Sequence, residues 1–304
     1  MINLKIALLK IALVSPSGTF DDDLLEESLR RAQELGIEIL LLSEPRLGQP
    51  EFINGSKQER LSELKKAEQI ETDAIWCTRG GCGAIDLWHD YLEVAPTGAP
   101  LVGYSDGTIL HFLRFYRAGR IGIHGPIFFD LRDPERANLE QVKLLIDKKA
   151  QQLAYPPLKS LNNCLFDNIS GELLVMNLIS LQSLVGSFDP QFLQRKILAI
   201  EEINEPQYRV YRALMQLKNA GALFGLKALI VGQFNQDRAV IIEKTLLPLA
   251  EELGIPLFDW PVFGHEKPNW PLLFGAKVGI ARVDENIFTL SYLEQHDHTA
   301  IETP

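Results

Sequence analysis

The chain has 304 residues, 46% of them hydrophobic and 23% charged, which is the composition of a water-soluble globular protein with length for one large domain or two smaller ones. A formal net charge of −10 excludes non-specific nucleic-acid binding, which needs clustered Lys and Arg against phosphates. Three cysteines, Cys77, Cys82 and Cys164, are too few and too odd in number for a disulfide framework.

Residues 1–18, MINLKIALLKIALVSPSG, are apolar but interrupted by Lys5 and Lys10 and carry no A-x-A-like cleavage site. They read as a buried strand rather than a signal segment. No run approaches the roughly 18 apolar residues of a membrane helix, so the expectation is a cytoplasmic protein with no membrane segment. Strand and helix signals then alternate. KIALVS (10–15) is a strand closed by Pro16 and Gly18, and residues 20–36 form an amphipathic helix that Gly36 ends. IEILLLS (37–43) is a strand, and residues 56–71 a second amphipathic helix. AIWCTRGG (74–81) is a strand running into glycines. AIDLWHDYL (84–92) is helical, PLVGYS (100–105) a strand and residues 107–119 a helix. Residues 133–152 read as one more helix. This alternation implies a parallel, doubly wound sheet.

The pattern breaks over residues 153–174, where turn residues and weak alternation suggest a linker. The expected organisation is an N-terminal α/β domain (1–152), a linker (153–175) and a smaller C-terminal α/β domain (176–304) with some antiparallel strands. In that half, residues 195–203 and 226–234 are strands, 205–221 and 237–254 helices, and IPLFDWPVFGH (255–265) a strand entering a loop. Residues 276–283 and 286–293 suggest a hairpin, and the tail from Glu294 is polar.

Two segments carry candidate chemistry. Gly103-Tyr104-Ser105-Asp106-Gly107 matches G-x-S-x-G between a strand and a helix. Such a turn exposes a serine hydroxyl where the helix N-terminus favours a developing oxyanion. The same serine could equally be a helix N-cap. In Arg79-Gly80-Gly81-Cys82-Gly83, the glycines fit a tight turn, half of a phosphate cradle, a cysteine-nucleophile turn at Cys82, or an oxyanion donor for Ser105; no G-K-[ST] follows, so it is not a P-loop. A nucleophilic serine needs a base and an acid that orients it. His124 and His265 each lie beside Gly at a strand end, where sites of open α/β sheets collect. His89 and His111 lie inside helical patterns, and His296 and His298 in the tail. Glu201 and Glu202 end a buried-type strand, where a carboxylate must be paired or solvated.

These segments, in order over nearly the whole chain, resemble the serine LD-carboxypeptidase family, the muramoyltetrapeptide carboxypeptidases with microcin C self-immunity hydrolases as relatives. VSPSG (14–18), TRGGCGAIDLW (78–88), VGYSDGT (102–108), GIHGP (122–126), the segment from Glu201 through Leu223, and FGHEKPNWPLLFG (263–275) each look like a family segment. The resemblance implies Ser105 as nucleophile, Glu201 as triad acid and His265 as base. It puts the backbone N–H groups of Asp106 and Gly81 in the oxyanion hole, and suggests Arg79 or Trp270 as substrate contacts. It implies a two-domain α/β homodimer that needs no metal or cofactor. The expected activity is removal of the terminal D-alanine from murein tetrapeptides in cell-wall recycling. The alternatives are hydrolysis of a peptidyl-nucleotide antibiotic, for which Trp270 could stack on a base, or a binding relative that has lost turnover. A cysteine amidotransferase using Cys82 and an α/β-hydrolase esterase compete from other classes. The departures from the family pattern fall at Cys82, Asp86, Val175, Met176, Tyr211 and Glu266, so the walls of the site are expected to differ more than the triad.

Overall fold

The computed structural model describes residues 9–42, 52–91, 98–162, 166 and 168–293. Cys164, His296, His298 and Ser43, the last residue of the strand expected at 37–43, lie outside them. Five strands, β1 (Leu9–Val14), β2 (Ile37–Leu41), β3 (Ala74–Cys77), β4 (Leu101–Gly103) and β5 (Gly122–His124), are all parallel. Eight more follow: β6 (Leu158–Ser160), β7 (Asn168–Asn177), β8 (Ile197–Glu202), β9 (Ala228–Phe234), β10 (Leu257–Asp259), β11 (Leu272–Phe274), β12 (Lys277–Asp284) and β13 (Ile287–Tyr292). β11 crosses back to pair antiparallel with β5, giving a six-stranded sheet ordered β11-β5-β4-β3-β1-β2. The other seven close a barrel, β10-β6-β13-β12-β7-β8-β9, in which β7, β8, β9 and β10 are parallel neighbours and the remaining pairings are antiparallel.

The sheet strands are buried on both faces, and alternate residues serve different cores. Ile11, Leu13, Trp76 and Val102 face α1 (Asp22–Glu34) and the helices of residues 134–146. Ala12, Val14, Ile75, Cys77 and Leu101 face the other way. On that side lie α2 (Lys57–Gln69), α3 (Trp88–Tyr91) and α4 (Thr108–Ala118), and their core is continuous with that of the barrel. Phe112, Leu113 and Ile109 of α4 pack in this shared core. The doubly wound N-terminal sheet and the mixed C-terminal unit follow the alternation in the sequence.

Several elements differ from the sequence reading, β11 and the helix over Leu178–Ser183 being unexpected. The helix expected over 133–152 is broken into α5 (Pro134–Ala137) and α6 (Leu139–Ile146), because Asn138 takes a left-handed φ of 43° between them. Residues 84–92 begin as a 3₁₀ turn (Ala84–Leu87) before α3. The helix expected over 237–254 is α9 (Arg238–Ile241, following α7, Leu178–Ser183, and α8, Gln207–Asn219), a π turn over Ile242–Leu246, and α10 (Leu247–Leu253). The 153–175 stretch carries β6 and residues 168–175 of β7, so it builds the barrel wall rather than only spanning a gap.

Candidate active site

The Ser105 turn begins where β4 leaves the sheet. Gly103 has φ 157°, and a Cβ there would stand 3.0 Å from the Cys77 Cβ, so β4 passes the end of β3 only with glycine at this position. Ser105 itself has φ 60°, a left-handed conformation that costs a non-glycine residue about 1–2 kcal/mol. It opens a 3₁₀ turn (Ser105–Gly107) that feeds α4. The Thr108 hydroxyl donates to the Ser105 carbonyl at 2.7 Å, and Gly107 N–H to the Tyr104 carbonyl at 3.2 Å. The N-cap of α4 is Gly107, with no side-chain cap bond, so Ser105 does not cap that helix. Its side chain is half-buried.

A glycine-rich loop packs directly on this turn. A Cβ on Gly80 would meet Ser105 Oγ and Cβ at 2.7 Å and the Asp106 nitrogen at 3.7 Å. Gly80 is therefore the residue that lies against the serine. The Gly80 carbonyl accepts from Gly18 N–H at 3.0 Å, and Gly81, φ 116°, presses on Gly18. In a trans peptide the N–H points opposite the C=O, so the Gly81 N–H is directed away from Gly18. The buried Asp106 carboxylate accepts from Ala84 N–H at 2.9 Å and locks the two turns together. Arg79 is half-buried, with Nη1 donating to the Thr19 carbonyl at 2.5 Å. Cys82 is exposed, and partial burial together with the nearby Asp106 and Asp86 charges raises its thiol above the ordinary value. Burial pushes the Cys77 thiol up to about 12. A cysteine nucleophile needs the opposite shift, which removes the basis for a Cys82 enzyme. Asp86 is engaged by the buried Arg60 at 2.8 Å.

The acid and the base come from the barrel. Glu201 stands near the end of β8, opposite Asn177 in β7, and is fully buried. Its Oε2 lies 2.6 Å from His265 Nδ1. Its Oε1 has no hydrogen-bond partner, so the imidazole is its one polar contact among the described residues. The short contact fixes the tautomer with the proton on Nδ1 and leaves Nε2 as a lone-pair base. Burial alone would lower the His265 pKa, but the Glu201 charge and hydrogen bond outweigh it, and the net shift is upward from 6.5. Beside this pair, Glu202 accepts from Asn177 Nδ2 (3.0 Å), Ile179 N–H (2.9 Å) and Ile203 N–H (2.9 Å). Burial first, then the Glu201 charge, raise its carboxyl from 4.5 to about 7.

The loop carrying His265 is held from both sides. Buried Gln233, at the end of β9, accepts from Glu266 N–H at 2.6 Å and donates to the Pro268 carbonyl at 2.7 Å. Gly264, φ 133°, comes so close that a Cβ would stand 2.8 Å from the Gln233 Cβ. From the other half of the chain, Lys267 pairs with Asp133 (2.6 Å) and Glu135 (3.2 Å), and Asn138 Nδ2 donates to the Asn269 carbonyl at 2.7 Å. Tyr104, which precedes the serine, stacks edge-on against the His265 ring with centroids 4.8 Å apart. The structure thus joins Glu201 to His265 and sets Tyr104, the residue before Ser105, against the His265 ring where the sheet meets the barrel.

His124, the other strand-end histidine, is fully buried with neither ring nitrogen hydrogen-bonded, and burial holds its imidazole well below the ordinary value. Its ring lies near Tyr104 and Phe263. Trp270 packs on Tyr155 (5.6 Å), which also touches Trp260 and Tyr292. The sequence reading missed Gln233, Tyr104 and Arg136. Gln233 is detectable by the rule that selects Glu201, a polar side chain ending a buried strand; nothing in the local sequence marks Arg136. Among the described residues, no group of three His, Cys, Asp or Glu side chains is placed to hold a metal ion, and no helix is long and apolar enough to cross a membrane.

Comparison with known proteins identifies the family of the chain. Residues 11–125 match the LD-carboxypeptidase N-terminal domain and residues 170–280 the LD-carboxypeptidase C-terminal domain. A Rickettsia conorii protein named as a carboxypeptidase is 31% identical over 287 residues, spanning 91% of this chain and 89% of its own. The murein tetrapeptide carboxypeptidase of Pseudomonas aeruginosa is 28% identical, spanning 86% and 90%. The muramoyltetrapeptide carboxypeptidase of Oxalobacter formigenes superposes with a TM-score of 0.76 at 23% identity, over 94% of this chain and 99% of its own. With two matched domains and a shared fold, the chain belongs to the LD-carboxypeptidase family and is a peptidase.

Proposed function

We propose that the protein is a serine LD-carboxypeptidase that removes the terminal D-alanine from murein tetrapeptides in cell-wall recycling. The observation that carries this reading is the 2.6 Å contact between His265 Nδ1 and the buried Glu201 carboxylate, beside a serine held at φ 60°. Ser105 Oγ attacks the carbonyl carbon of the last peptide bond, and His265 Nε2 takes the hydroxyl proton. Glu201 stabilises the imidazolium. The N–H groups of Asp106 and Gly81 face the developing oxyanion; a donor of this kind is typically worth about 3–4 kcal/mol. The imidazolium then protonates the leaving amine, the C–N bond breaks and D-alanine departs. Water, deprotonated by His265, attacks the acyl-serine, releasing the tripeptide carboxylate and regenerating Ser105. In this reading the N-terminal unit, residues 1–152, supplies the nucleophile, and the C-terminal unit supplies the acid and base. Arg79 is the proposed anchor for the substrate's terminal carboxylate.

The peptidyl-nucleotide reading is less well supported. The microcin C7 self-immunity protein MccF shares the fold, with a TM-score of 0.75 at 19% identity over 95% of this chain and 96% of its own. Trp270, the residue proposed to stack on a base, already packs against Tyr155. Incubation with a defined murein tetrapeptide, scored by mass spectrometry, tests the proposal. The wild type should release D-alanine and Ser105→Ala should not. Release by Ser105→Ala at the wild-type rate would sink it.

A further inference from the structure

We infer that Arg136 is a positioning residue for the base, setting the His265 ring against the Ser105 turn. This inference rests on the serine-carboxypeptidase reading above. Arg136 lies in α5, outside every segment that carries the family resemblance. One of its nitrogens, Nη2, donates to the Tyr104 hydroxyl at 2.9 Å and to the His265 carbonyl at 2.8 Å. Its Nε lies 3.3 Å from the Asp130 carboxylate, a pair whose side chains are 29% and 9% exposed. The guanidinium therefore joins the residue before the nucleophile to the residue that carries the base, across the boundary between sheet and barrel.

Both ends of that bridge act on the ring. Tyr104 is buried and stacks edge-on against the His265 imidazole, so the height of its hydroxyl sets the tilt of the aromatic wall. The His265 carbonyl fixes the main chain from which the imidazole projects. Glu201 holds only Nδ1 and leaves the ring free to pivot about that bond. Tyr104 and the main chain, both tied to Arg136, remove that freedom. Asp130 is in turn oriented by Ile127 N–H, which donates to its other oxygen at 3.1 Å, so the guanidinium is held by a fixed carboxylate. A lysine keeps the charge, but its flexible ammonium lacks the planar fork that serves three partners at once.

The charged and titratable groups that act on His265 are Glu201 and Glu202 from β8, Arg136 from α5, Asp130 from the turn before it and His124 from β5. Arg136 is the cation among them, and its charge opposes protonation of the imidazole.

The test is steady-state kinetics of the full chain on a murein tetrapeptide from pH 5 to 9, for wild type, Arg136→Lys, Arg136→Met and Ser105→Ala, with thermal unfolding of each. Misplacing a reacting group by about 1 Å costs about 100-fold. Both Arg136 variants should therefore lose roughly 30- to 100-fold in kcat, with KM changed less than about threefold. In Arg136→Met the acid limb of kcat/KM should also move to higher pH, because the opposing charge is gone. In Arg136→Lys the limb should stay near its wild-type place, so that geometry and charge separate. Tyr104→Phe removes one of the three partners and keeps the ring, so it guards against a folding failure; it should lose a smaller part of kcat at unchanged melting temperature. Wild-type kcat in folded Arg136→Met, or loss appearing only in KM, would overturn the inference. Full activity of Ser105→Ala would overturn the reading of the site instead.

Discussion

At the scale of single residues, the proposed site places groups where their ordinary chemistry is shifted. Glu201 is the clearest case, since it is fully buried and one of its oxygens has the His265 imidazole as its partner. Glu201→Gln preserves size and an acceptor but removes the charge that raises the His265 pKa. The base then deprotonates at lower pH, so the acid limb of kcat/KM should move downward from a wild-type midpoint above 6.5. The rate should still fall, by roughly 10²- to 10⁴-fold, because the imidazolium of the transition state loses its counter-charge. A pH–rate profile of the variant checks both signs; an upward shift would contradict the pairing. Gly80 gives a second residue-scale prediction. A methyl group there would sit 2.7 Å from Ser105 Oγ, closer than atoms approach, and the serine turn cannot yield because Ser105 is already at φ 60°. Gly80→Ala should reduce kcat by about 100-fold and also lower the melting temperature, because relieving the clash costs about 1–3 kcal/mol; kcat measured well below the transition separates the two. Ser105, Glu201 and His265 were legible as candidates in the sequence because each is a residue type with an obvious role beside a glycine or a strand signal, although the structure sets His265 in the loop after β10 rather than at a strand end. Arg136 was not, because its importance lies in what it touches rather than in where it falls in the chain.

At the scale of elements, the parallel strands hand their C-terminal ends to the site, and one polar residue at the end of each strand sets the next loop. β4 delivers Ser105, β8 delivers Glu201, and β9 delivers Gln233, which grips the loop after β10 by Glu266 N–H and the Pro268 carbonyl. Gln233→Ala removes both bonds. Pro268 and Glu266 are exposed enough for water to replace part of them, so the expected destabilisation is about 1–3 kcal/mol, read as a lower midpoint in urea. The activity loss should exceed what the stability loss explains, because the freed loop carries His265; kcat measured well below the melting transition separates the two. Most of the alternating strands and helices of residues 10–119 were readable because each is amphipathic or apolar over its own length; α2 is the exception, since it buries Arg60, Glu63 and Glu68 beside Leu64 and Ala67. The break at Asn138 was not readable, since one residue entering the left-handed region leaves the flanking helical periodicity intact. Within 153–175, β6 is only three residues long, and β7 opens with the largely polar residues of Asn168–Glu172, so neither shows a strand pattern before its distant partners β12 and β13 are in place.

At the scale of the whole molecule, closure of the barrel and the return of β11 to the N-terminal sheet are pairings between distant segments, which a local pattern does not encode. They place two adjacent carboxylates, Glu201 and Glu202, at the buried end of β8, and global stability should register the second. Glu202 has its folded pKa raised from 4.5 to about 7, chiefly by burial and then by the Glu201 charge. For a carboxyl shifted upward, the neutral form is the one the fold favours. Its contribution is complete below pH 4.5, and it declines as pH rises through about 7, when the buried group must ionise. A shift of this size corresponds to about 3 kcal/mol over that window. Glu202→Gln cannot ionise, so its stability should vary less between pH 5 and pH 8 than that of the wild type. Its absolute stability is a poor guide. The three groups that meet Glu202 are all donors, and an amide NH₂ turned toward one of them forfeits that bond at every pH, at a cost of about 1–3 kcal/mol. The informative quantity is the difference in slope: as pH rises from 5 to 8 the unfolding free energy of the wild type should fall relative to that of Glu202→Gln, whichever protein is the more stable at pH 5. Parallel curves would mean that Glu202 is ionised throughout, held by its three donors against its burial and its charged neighbour.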